Sequence, residues 1–387
     1  MKEAIFLIFM LMSCSSFSKI ELVARANRYN SFRMPEISFV NSSTIAHNTK
    51  GDIAFAFSMM LKGEVRSGIW YRKEGKKHWK IVHVAEEGFF LSDPFLNESG
   101  DFIFSEFTGG SVKGVYKFDH HSNKVRKIFA DLDGRFSSYG NLQLNDDGLI
   151  LVRGNSFNHS RSVYKYFKGK WERIVSDREK GISYVFGAKL SLYNQVVLKI
   201  REGDTRDFGE ERPDSLRRYF SESDYDILAT DINKNEQSPF KAFNNTPGTH
   251  YLSPYVVSIT TLKNGNKAIV RFKDGMYEII TEEGNNKIKT LEYFTPSVNQ
   301  QGHLAFRGID DKGKRNIYFF DGKKVRSIVS ENQLIDTDSV TGRIYSKNGP
   351  CFGGGVTLNN KDQVIFQAKV YSKNLEEDLG KAILIAN

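Results

Sequence analysis

The sequence has little cysteine, little proline and no hydrophobic run long enough to cross a bilayer. Only two of its 387 residues are Cys and eight are Pro. We place Cys14 in an N-terminal leader, which leaves Cys351 without an intrachain disulfide partner, and we interpret Cys351 as a packed core residue. The longest apolar stretch, residues 4–12, is too short for a transmembrane helix. The fold must therefore be held together by packing.

Motifs that define common enzyme classes are also absent. The chain contains no HExxH, no GxSxG, no phosphate-binding loop and no paired-cysteine zinc pattern, so we expect no metal or other cofactor. Helix-turn-helix, zinc-finger and RNA-binding signatures are missing too, so we expect no nucleic-acid partner. Residues 131–134 and 145–148 resemble fragments of calcium loops, but the acidic ligands that should follow are lacking, and we interpret both as turns.

Aromatic residues, glycine and positive charge are abundant. Thirty Phe, 17 Tyr and 32 Gly indicate many short strands joined by tight turns, which favours an all-β fold. The formal net charge of +9 indicates an anionic partner such as an acidic glycan or lipid headgroups. Nucleic acid is the least expected of the anionic partners, since the N-terminus predicts export.

The N-terminal apolar run is typical of a secretory signal peptide. It ends in Leu11-Met12-Ser13-Cys14, which resembles the lipobox of bacterial lipoproteins. This resemblance implies a signal peptide over residues 1–13 and a lipid on Cys14 that anchors the chain to a membrane. Ser15, in place of the Asp of inner-membrane lipoproteins, favours the outer membrane or cell surface. The alternative is an ordinary signal peptide cut near Ser16 to Ser18, which would make the protein periplasmic or secreted.

A turn followed by a strand recurs seven times along the chain. In each copy Asn or a similar residue opens the turn, the fourth residue suits a left-handed conformation and an apolar run follows. Asn194, Asn266 and Asp362 replace Gly at the fourth position, where Asn and Asp are the best-tolerated substitutes. The copies are NTKGDIAF (48–55), NESGDFIF (97–104), NDDGLILV (145–152), SLYNQVVL (191–198), KNGNKAIV (263–270), NQQGHLAF (299–306) and NNKDQVIF (359–366).

Each copy is followed by an aromatic strand and a basic strand, and a further strand precedes the next turn. Four strands per unit are typical of a propeller blade, so we predict one seven-bladed β-propeller over residues 19–387. The N-terminal strand, residues 19–24, should complete the last blade beside residues 380–386 and close the ring. The repeat resembles the NxxGxxAF tandem-repeat family of bacterial surface proteins, which implies this fold but no single activity.

One unit is longer than the others. Residues 201–224 form a predicted insertion in the fourth blade, with a short helix beginning at Pro213. Leu216, Tyr219 and Phe220 would share one side of that helix, and Arg217 and Arg218 would be exposed. Such an arm would suit a protein partner, which makes a protein-interaction scaffold one alternative function.

The strand after each turn is predicted to line the central channel. Counted from the fourth turn residue, position +5 is the variable polar position, and it is basic in four consecutive units. Clustered cations at a narrow opening would attract an anionic ligand, and Arg offers a planar fork for a carboxylate. The alternative is that these side chains reach solvent or pair with acidic residues. The predicted ligand-binding residues are Arg153, Lys199, Arg271 and Arg307 at position +5, with Arg201 at position +7.

The chain is also similar to the seven-bladed ulvan lyases in its size and in having an Arg with a Tyr and a His nearby. This resemblance implies β-elimination on a uronate-containing polysaccharide, with Arg201 on the carboxylate and Tyr184 as base or acid. His120 or His121 would serve the leaving oxygen, although a solvated hairpin turn also explains this His pair. Tyr255 with Arg271 makes a second pair of the same type, so the pattern does not single out one site.

Overall fold

The computed structural model describes residues 19–76, 78–109, 111–130, 136–156, 158–204 and 212–387. In this part of the chain the strands form seven antiparallel sheets, and the helical structure is one 3-10 turn, Leu192–Asn194. The sheets are the blades of a propeller, which confirms the predicted fold. The leader and the proposed lipidation site Cys14 lie outside the described residues. Among the described residues no helix is long and apolar enough to span a membrane.

The first four blades consist of β2–β6, β7–β11, β12–β15 and β16–β19. Their strands, preceded by the N-terminal strand, are β1 (Ile20–Ala26), β2 (Ser38–Val40), β3 (Ala46–His47), β4 (Ile53–Leu61), β5 (Glu64–Arg72), β6 (Trp79–Val84), β7 (Phe90–Leu91), β8 (Phe95–Leu96), β9 (Phe102–Phe107), β10 (Val112–Asp119), β11 (Lys124–Phe129), β12 (Phe136–Leu144), β13 (Ile150–Ser156), β14 (Arg161–Phe167), β15 (Lys170–Ser176), β16 (Ile182–Leu190), β17 (Val196–Glu202), β18 (Asp214–Tyr219) and β19 (Tyr225–Thr230).

Blades 5 and 6 consist of β20–β24 and β25–β29, and blade 7 combines β30–β34 with β1. The strands are β20 (Phe240–Phe243), β21 (Gly248–Thr249), β22 (Val256–Leu262), β23 (Lys267–Lys273), β24 (Met276–Glu282), β25 (Ile288–Leu291), β26 (Ser297–Val298), β27 (Leu304–Asp310), β28 (Arg315–Phe320), β29 (Val325–Ser330), β30 (Leu334–Asp336), β31 (Thr341–Ile344), β32 (Phe352–Leu358), β33 (Val364–Ser372) and β34 (Asp378–Ala386).

The innermost strand of each blade is the one before the Asn turn. These seven strands, β3, β8, β12, β16, β21, β26 and β32, contact one another in this order, and β32 contacts β3 again. The prediction that the strand after the turn lines the channel is therefore wrong. That strand is second in its blade, and the neighbouring blades cover both of its faces, as the fully buried run Leu304–Gly308 of β27 illustrates.

The Asn turns also join the blades into a belt. The side-chain oxygen of Asn97, for example, accepts a hydrogen bond from the Asp101 amide at 2.8 Å, and its Nδ2 donates to the Asn145 carbonyl at 3.0 Å. The remaining links run from Asn48 to Asn97, Asn145 to Asn194, Ser191 to Ser253, Ser253 to Asn299, Asn299 to Asn359 and Asn359 to Asn48. Asn thus builds the turn and makes five of the seven links, and Ser191 and Ser253 make the links from blades 4 and 5.

Blade 5 departs from the predicted register. Residues 263–266 form the hairpin between β22 and β23, and Asn266 is not in a left-handed conformation. The equivalent of the other turns begins at His250, because the Ser253 amide donates to the His250 carbonyl at 2.8 Å as Gly302 does to Asn299 at 3.1 Å. Arg271 consequently lies on the third strand of its blade, and the prediction that it occupies position +5 of the second strand is wrong.

The ring closes as predicted, because β1 pairs antiparallel with β34 and becomes the outermost strand of blade 7. Its buried residues Val23 and Ala24 share a core cluster with Phe55 and Trp70 of blade 1. Arg25, 1% exposed, fixes the strand further through two 2.8 Å contacts with the Asp338 carboxylate.

The predicted helix at Pro213 is wrong. Asp214–Tyr219 is β18, the third strand of blade 4, and it pairs with β17. Leu216 and Arg217 are buried, so the prediction that Arg217 is exposed is wrong as well. Because β18 and β19 belong to the blade itself, the additional chain of blade 4 lies between β17 and β18.

Candidate ligand site in the ring channel

The inner strands enclose a cavity of about 320 Å³ on the ring axis. Every blade contributes to its lining through the residue two positions before the first turn residue. These seven residues are Ala46, Phe95, Gln143, Lys189, Gly248, Ser297 and Thr357. The channel-facing position of the repeat is therefore on the strand before the turn.

The Asn-turn end of the channel is crossed by side chains from opposite blades. The Tyr251 hydroxyl of blade 5 accepts a hydrogen bond from the Glu98 amide of blade 2 at 2.6 Å and donates to the Asp146 carboxylate at 3.1 Å. Burial raises the pKa of Tyr251, so the hydroxyl stays protonated. The Glu98 carboxylate accepts from the amide and hydroxyl of Thr49 at 2.8 and 2.9 Å. We therefore take the opposite end of the ring as the mouth.

Two of the predicted ligand-binding residues are satisfied inside the protein. Arg307 is 2% exposed, lies 2.7 Å from the Glu292 carboxylate and donates to the Gly354 carbonyl of the next blade. Lys199 is 5% exposed and donates to the Phe243 carbonyl of the next blade at 2.9 Å. Burial lowers the pKa of Lys199, against the attraction of Asp214 at 3.4 Å. At this position of the repeat, a long polar side chain thus links neighbouring blades.

Arg201 and Arg271 also have acidic partners. Arg201 forms a two-contact pair with Asp214, at 2.8 and 3.1 Å, and this hydrogen bonding raises the pKa of Arg201. Arg271 lies near the Asn-turn end, where it donates to the Gly302 carbonyl at 2.6 Å and contacts Glu278 at 2.5 Å. The alternative interpretation of the basic positions, pairing with acidic residues, therefore describes Arg201 and Arg271.

Arg153 differs from the other predicted basic residues. Its Nε is buried and has no hydrogen-bond partner among the described residues. Burial, reinforced by the charge of Arg161, lowers the pKa of the Arg153 guanidinium, which nevertheless remains charged at neutral pH. Gly140 on the inner strand allows this packing, since a Cβ there would lie 3.0 Å from Nη2 of Arg153. Blade 3 therefore holds a largely buried cation, and no carboxylate of the described residues compensates its charge.

Arg161 and Tyr184 lie beside Arg153, toward the end of the ring opposite the Asn turns. The Arg161 guanidinium carbon lies 4.0 Å from the centroid of the Tyr184 ring, a cation–π arrangement. Tyr184 is on β16 and is the cross-strand neighbour of Arg201. We call Arg153, Arg161 and Tyr184 the blade 3–4 cluster. It combines two cations with an aromatic face, groups that can bind a carboxylate and a sugar ring.

The predicted lyase residues do not converge. His120 lies in the turn after β10 of blade 2, where its Nδ1 is 3.1 Å from the Tyr71 hydroxyl of blade 1. Burial is the main cause that lowers the pKa of His120. The ring of His121 stands edge-on to it at 5.7 Å. Tyr184 and Arg201 belong to blade 4, so the structure brings these two together but not the His pair.

The described part of the chain contains neither a cluster of metal ligands nor an accessible thiol. No group of three or more His, Cys, Asp or Glu side chains there is arranged to hold a metal ion. Cys351 is 1% exposed, and burial raises the pKa of its thiol to about 12, as expected for a packed core cysteine.

Sequence reasoning missed Arg161 and Lys189. Arg161 begins the third strand of blade 3, where the repeat has no signature. Lys189 was detectable, because it is the charged member of the seven residues that stand two positions before a turn. The strand order was needed to recognise that this position faces the channel.

Comparisons with known proteins bear on the fold alone. No protein-family model matches the chain, and no curated protein sequence matches it significantly. Among solved structures it is similar to the oligogalacturonate lyase of Vibrio parahaemolyticus, with a TM-score of 0.60 and 11% identity over 95% of this chain and 97% of that one.

Two peptidases are similar over part of their length. The acylaminoacyl peptidase of Pyrococcus horikoshii gives a TM-score of 0.54 at 11% identity over 88% of this chain. A puromycin-hydrolyzing peptidase of Mycobacterium tuberculosis gives 0.53 at 9% identity, also over 88%. The chain spans about half the length of each peptidase, 52% and 53%. The class that the fold defines is a seven-bladed β-propeller.

Proposed function

We propose that this chain is an exported, lipid-anchored β-propeller that binds an acidic glycan at the mouth of its channel, through the blade 3–4 cluster. The observation that carries the proposal is Arg153, whose buried Nε has no partner among the described residues. Leaving a buried charged donor unpaired costs several kcal/mol, and a ligand carboxylate would remove that cost. Arg161, which packs on the Tyr184 ring, adds a second cation.

Binding of polygalacturonate to the purified protein, measured by calorimetry with dextran as the neutral control polymer, tests this proposal. Arg153→Gln should weaken binding by about tenfold or more, since a charge-assisted hydrogen bond contributes about 1.5–3 kcal/mol. Arg271→Gln is the matched control, because Arg271 is held by Glu278 near the opposite end of the ring; its affinity should change less than about twofold. Equal losses in both variants, or none in Arg153→Gln, would exclude the cluster as the site.

A uronate lyase that acts by β-elimination is the alternative function. Its support is the fold similarity to an oligogalacturonate lyase over nearly the full length of both chains. An ultraviolet assay for unsaturated uronate products on ulvan, alginate and pectate separates the two functions. A binding protein gives no signal on any of the three polymers, whereas the lyase alternative requires one on at least one of them.

A protein-interaction scaffold is the second alternative, with residues 201–224 as the docking segment. Because β18 and the end of β17 fall within that range, a deletion test must be confined to residues 204–212, between the strands. Loss of partner capture with unchanged polygalacturonate binding would favour the scaffold function.

A further inference from the structure

The central cavity contains a charge that the blade 3–4 cluster does not use. Of the seven residues that stand two positions before a turn and line the cavity, six are uncharged and one is Lys189. Burial alone lowers the pKa of the Lys189 ammonium, and no acidic side chain of the described residues offsets it. The described residues that line the cavity include no Asp and no Glu. A confined ammonium without a counter-charge is costly unless an anion joins it.

Other polar side chains of the cavity lining can also donate hydrogen bonds. Gln143 of the preceding blade lines the cavity; its side-chain oxygen accepts from the Leu190 amide, and its amide nitrogen has no acceptor among the described residues. His47 contributes a third donor. Its Nε2 accepts from Asn359 at 3.3 Å, which leaves the proton on Nδ1, and Nδ1 is buried without a partner in the described part.

The neutral form of His47 follows from its environment, since burial lowers its pKa to about 4. The described residues that line the cavity therefore combine one cation with groups that can donate, and they include no carboxylate. The Glu98 carboxylate lies outside this lining, 3.6 Å from Nε2 of His250 at the Asn-turn end. This combination suits an anion and disfavours a cation.

The volume of the cavity limits the size of the ligand that carries the anionic group. Its volume of about 320 Å³ is at the lower end of the roughly 300–1,000 Å³ typical of small-molecule pockets. Glu98 and Tyr251 cross the channel at the Asn-turn end. The space accordingly suits one sugar-sized group and not a polymer that passes through the ring.

We propose that the central cavity is a second binding site, which takes one small organic carboxylate of the size of a single uronic acid and places its carboxylate on Lys189. The site is independent of glycan binding at the mouth, because it needs neither Arg153 nor a polymer. The Gln143 amide supplies a second donor to the same ligand.

Calorimetric titration with free galacturonate, and with galactose as the neutral analogue, tests the cavity site. The wild-type protein should bind galacturonate and show no binding of galactose at the same concentrations. Lys189→Met should weaken galacturonate binding by about tenfold or more, the loss expected for one charge-assisted hydrogen bond. Arg271→Gln is the matched control and should retain galacturonate binding within about twofold, because Arg271 is held by Glu278 and belongs to neither proposed site. Absence of galacturonate binding in the wild type, equal affinity in Lys189→Met, or equal affinity for galactose would overturn the proposal.

Urea denaturation checks that the Lys189→Met variant is folded. Because Lys189 has no acidic partner among the described residues, Lys189→Met should unfold at the same urea concentration as the wild type or a higher one. If it is destabilised, Lys189→Gln, which keeps a donor and removes the charge, replaces it with the same expected loss of affinity. Titration of polygalacturonate into Lys189→Met separates the two sites, since this variant should leave polymer binding at the mouth intact.

Discussion

Blades 3 and 6 have an arginine at the same position of the repeat, five residues after the fourth residue of the turn. The two arginines differ in their hydrogen-bond and charge partners. Arg307 of blade 6 lies 2.7 Å from Glu292, packs 4.1 Å from the Phe294 ring and donates to Gly354 of the next blade. Arg153 of blade 3 has a buried Nε without a partner in the described part of the chain, and another arginine is its nearest charge.

This difference shows how a repeat can combine stability with function. Where the position is occupied by Lys199, Arg307 or Gln367, the side chain donates to a backbone carbonyl of the next blade and holds the ring together. In blade 3 the same position holds Arg153, a cation that has no carboxylate partner among the described residues. We interpret the paired examples as structural and the unpaired example as available to a ligand.

The largest effect should come from breaking the paired example. Arg307→Met leaves the Glu292 carboxylate without its closest cation and removes the donor to Gly354, so we expect a loss of about 3–5 kcal/mol in the free energy of unfolding. Urea denaturation measures it. The matched control is Arg315→Met, which also contacts Glu292, at 3.5 Å, but is 29% exposed; it should cost about 1 kcal/mol or less. If both variants cost the same, Arg307 is not a special link between blades.

A second uncompensated group, His47, should make the protein sensitive to acid. Burial lowers its pKa to about 4 from an ordinary value of 6.5. As the pH falls from about 6.5 to about 4, the unfolded chain takes up this proton and the folded chain does not, so the folded state loses about 3 kcal/mol relative to the unfolded state. Above pH 6.5 the group has no effect.

Unfolding free energies of the wild type and His47→Gln, measured between pH 4 and 7, isolate this contribution. The two curves should converge in shape above about pH 6.5, and the wild-type curve should fall more steeply below it. Parallel curves over the whole range would show that His47 takes up its proton at the same pH in the folded and the unfolded chain.

Local chemistry made the number of blades and their closure predictable. The Asn turn is a short-range signal, and the unfinished last blade required a strand from the other end of the chain, which β1 supplies. The order of strands within a blade was not predictable in the same way. Two apolar strands flank every turn, and their patterns alone do not indicate which one faces the axis. The channel was therefore assigned to position +5, whereas the cavity is lined two residues before the turn.

Blades 4 and 5 show two further limits. The segment 263–266 has the residues of a good turn but joins β22 to β23, whereas the true equivalent, which starts at His250, has neither Asn nor Gly. Leu216, Tyr219 and Phe220 follow a helical spacing, but pairing of β18 with β17 overrides that preference. The partners that distinguish Arg307 from Arg153 come from other segments of the chain, so the sequence did not reveal them.

The smallest expected effect is a gain in the free energy of unfolding, on replacement of Arg153. Arg153→Met replaces a cation that has no counter-charge in the described part with an apolar side chain of similar length, so the protein should become more stable by about 1–2 kcal/mol. Arg153→Lys keeps the charge and should show no such gain, which separates charge from packing. Urea denaturation of the three proteins measures both changes. A loss comparable to that of Arg307→Met would mean that Arg153 is paired in the folded protein, and the blade 3–4 cluster would then be a structural link like that of blade 6.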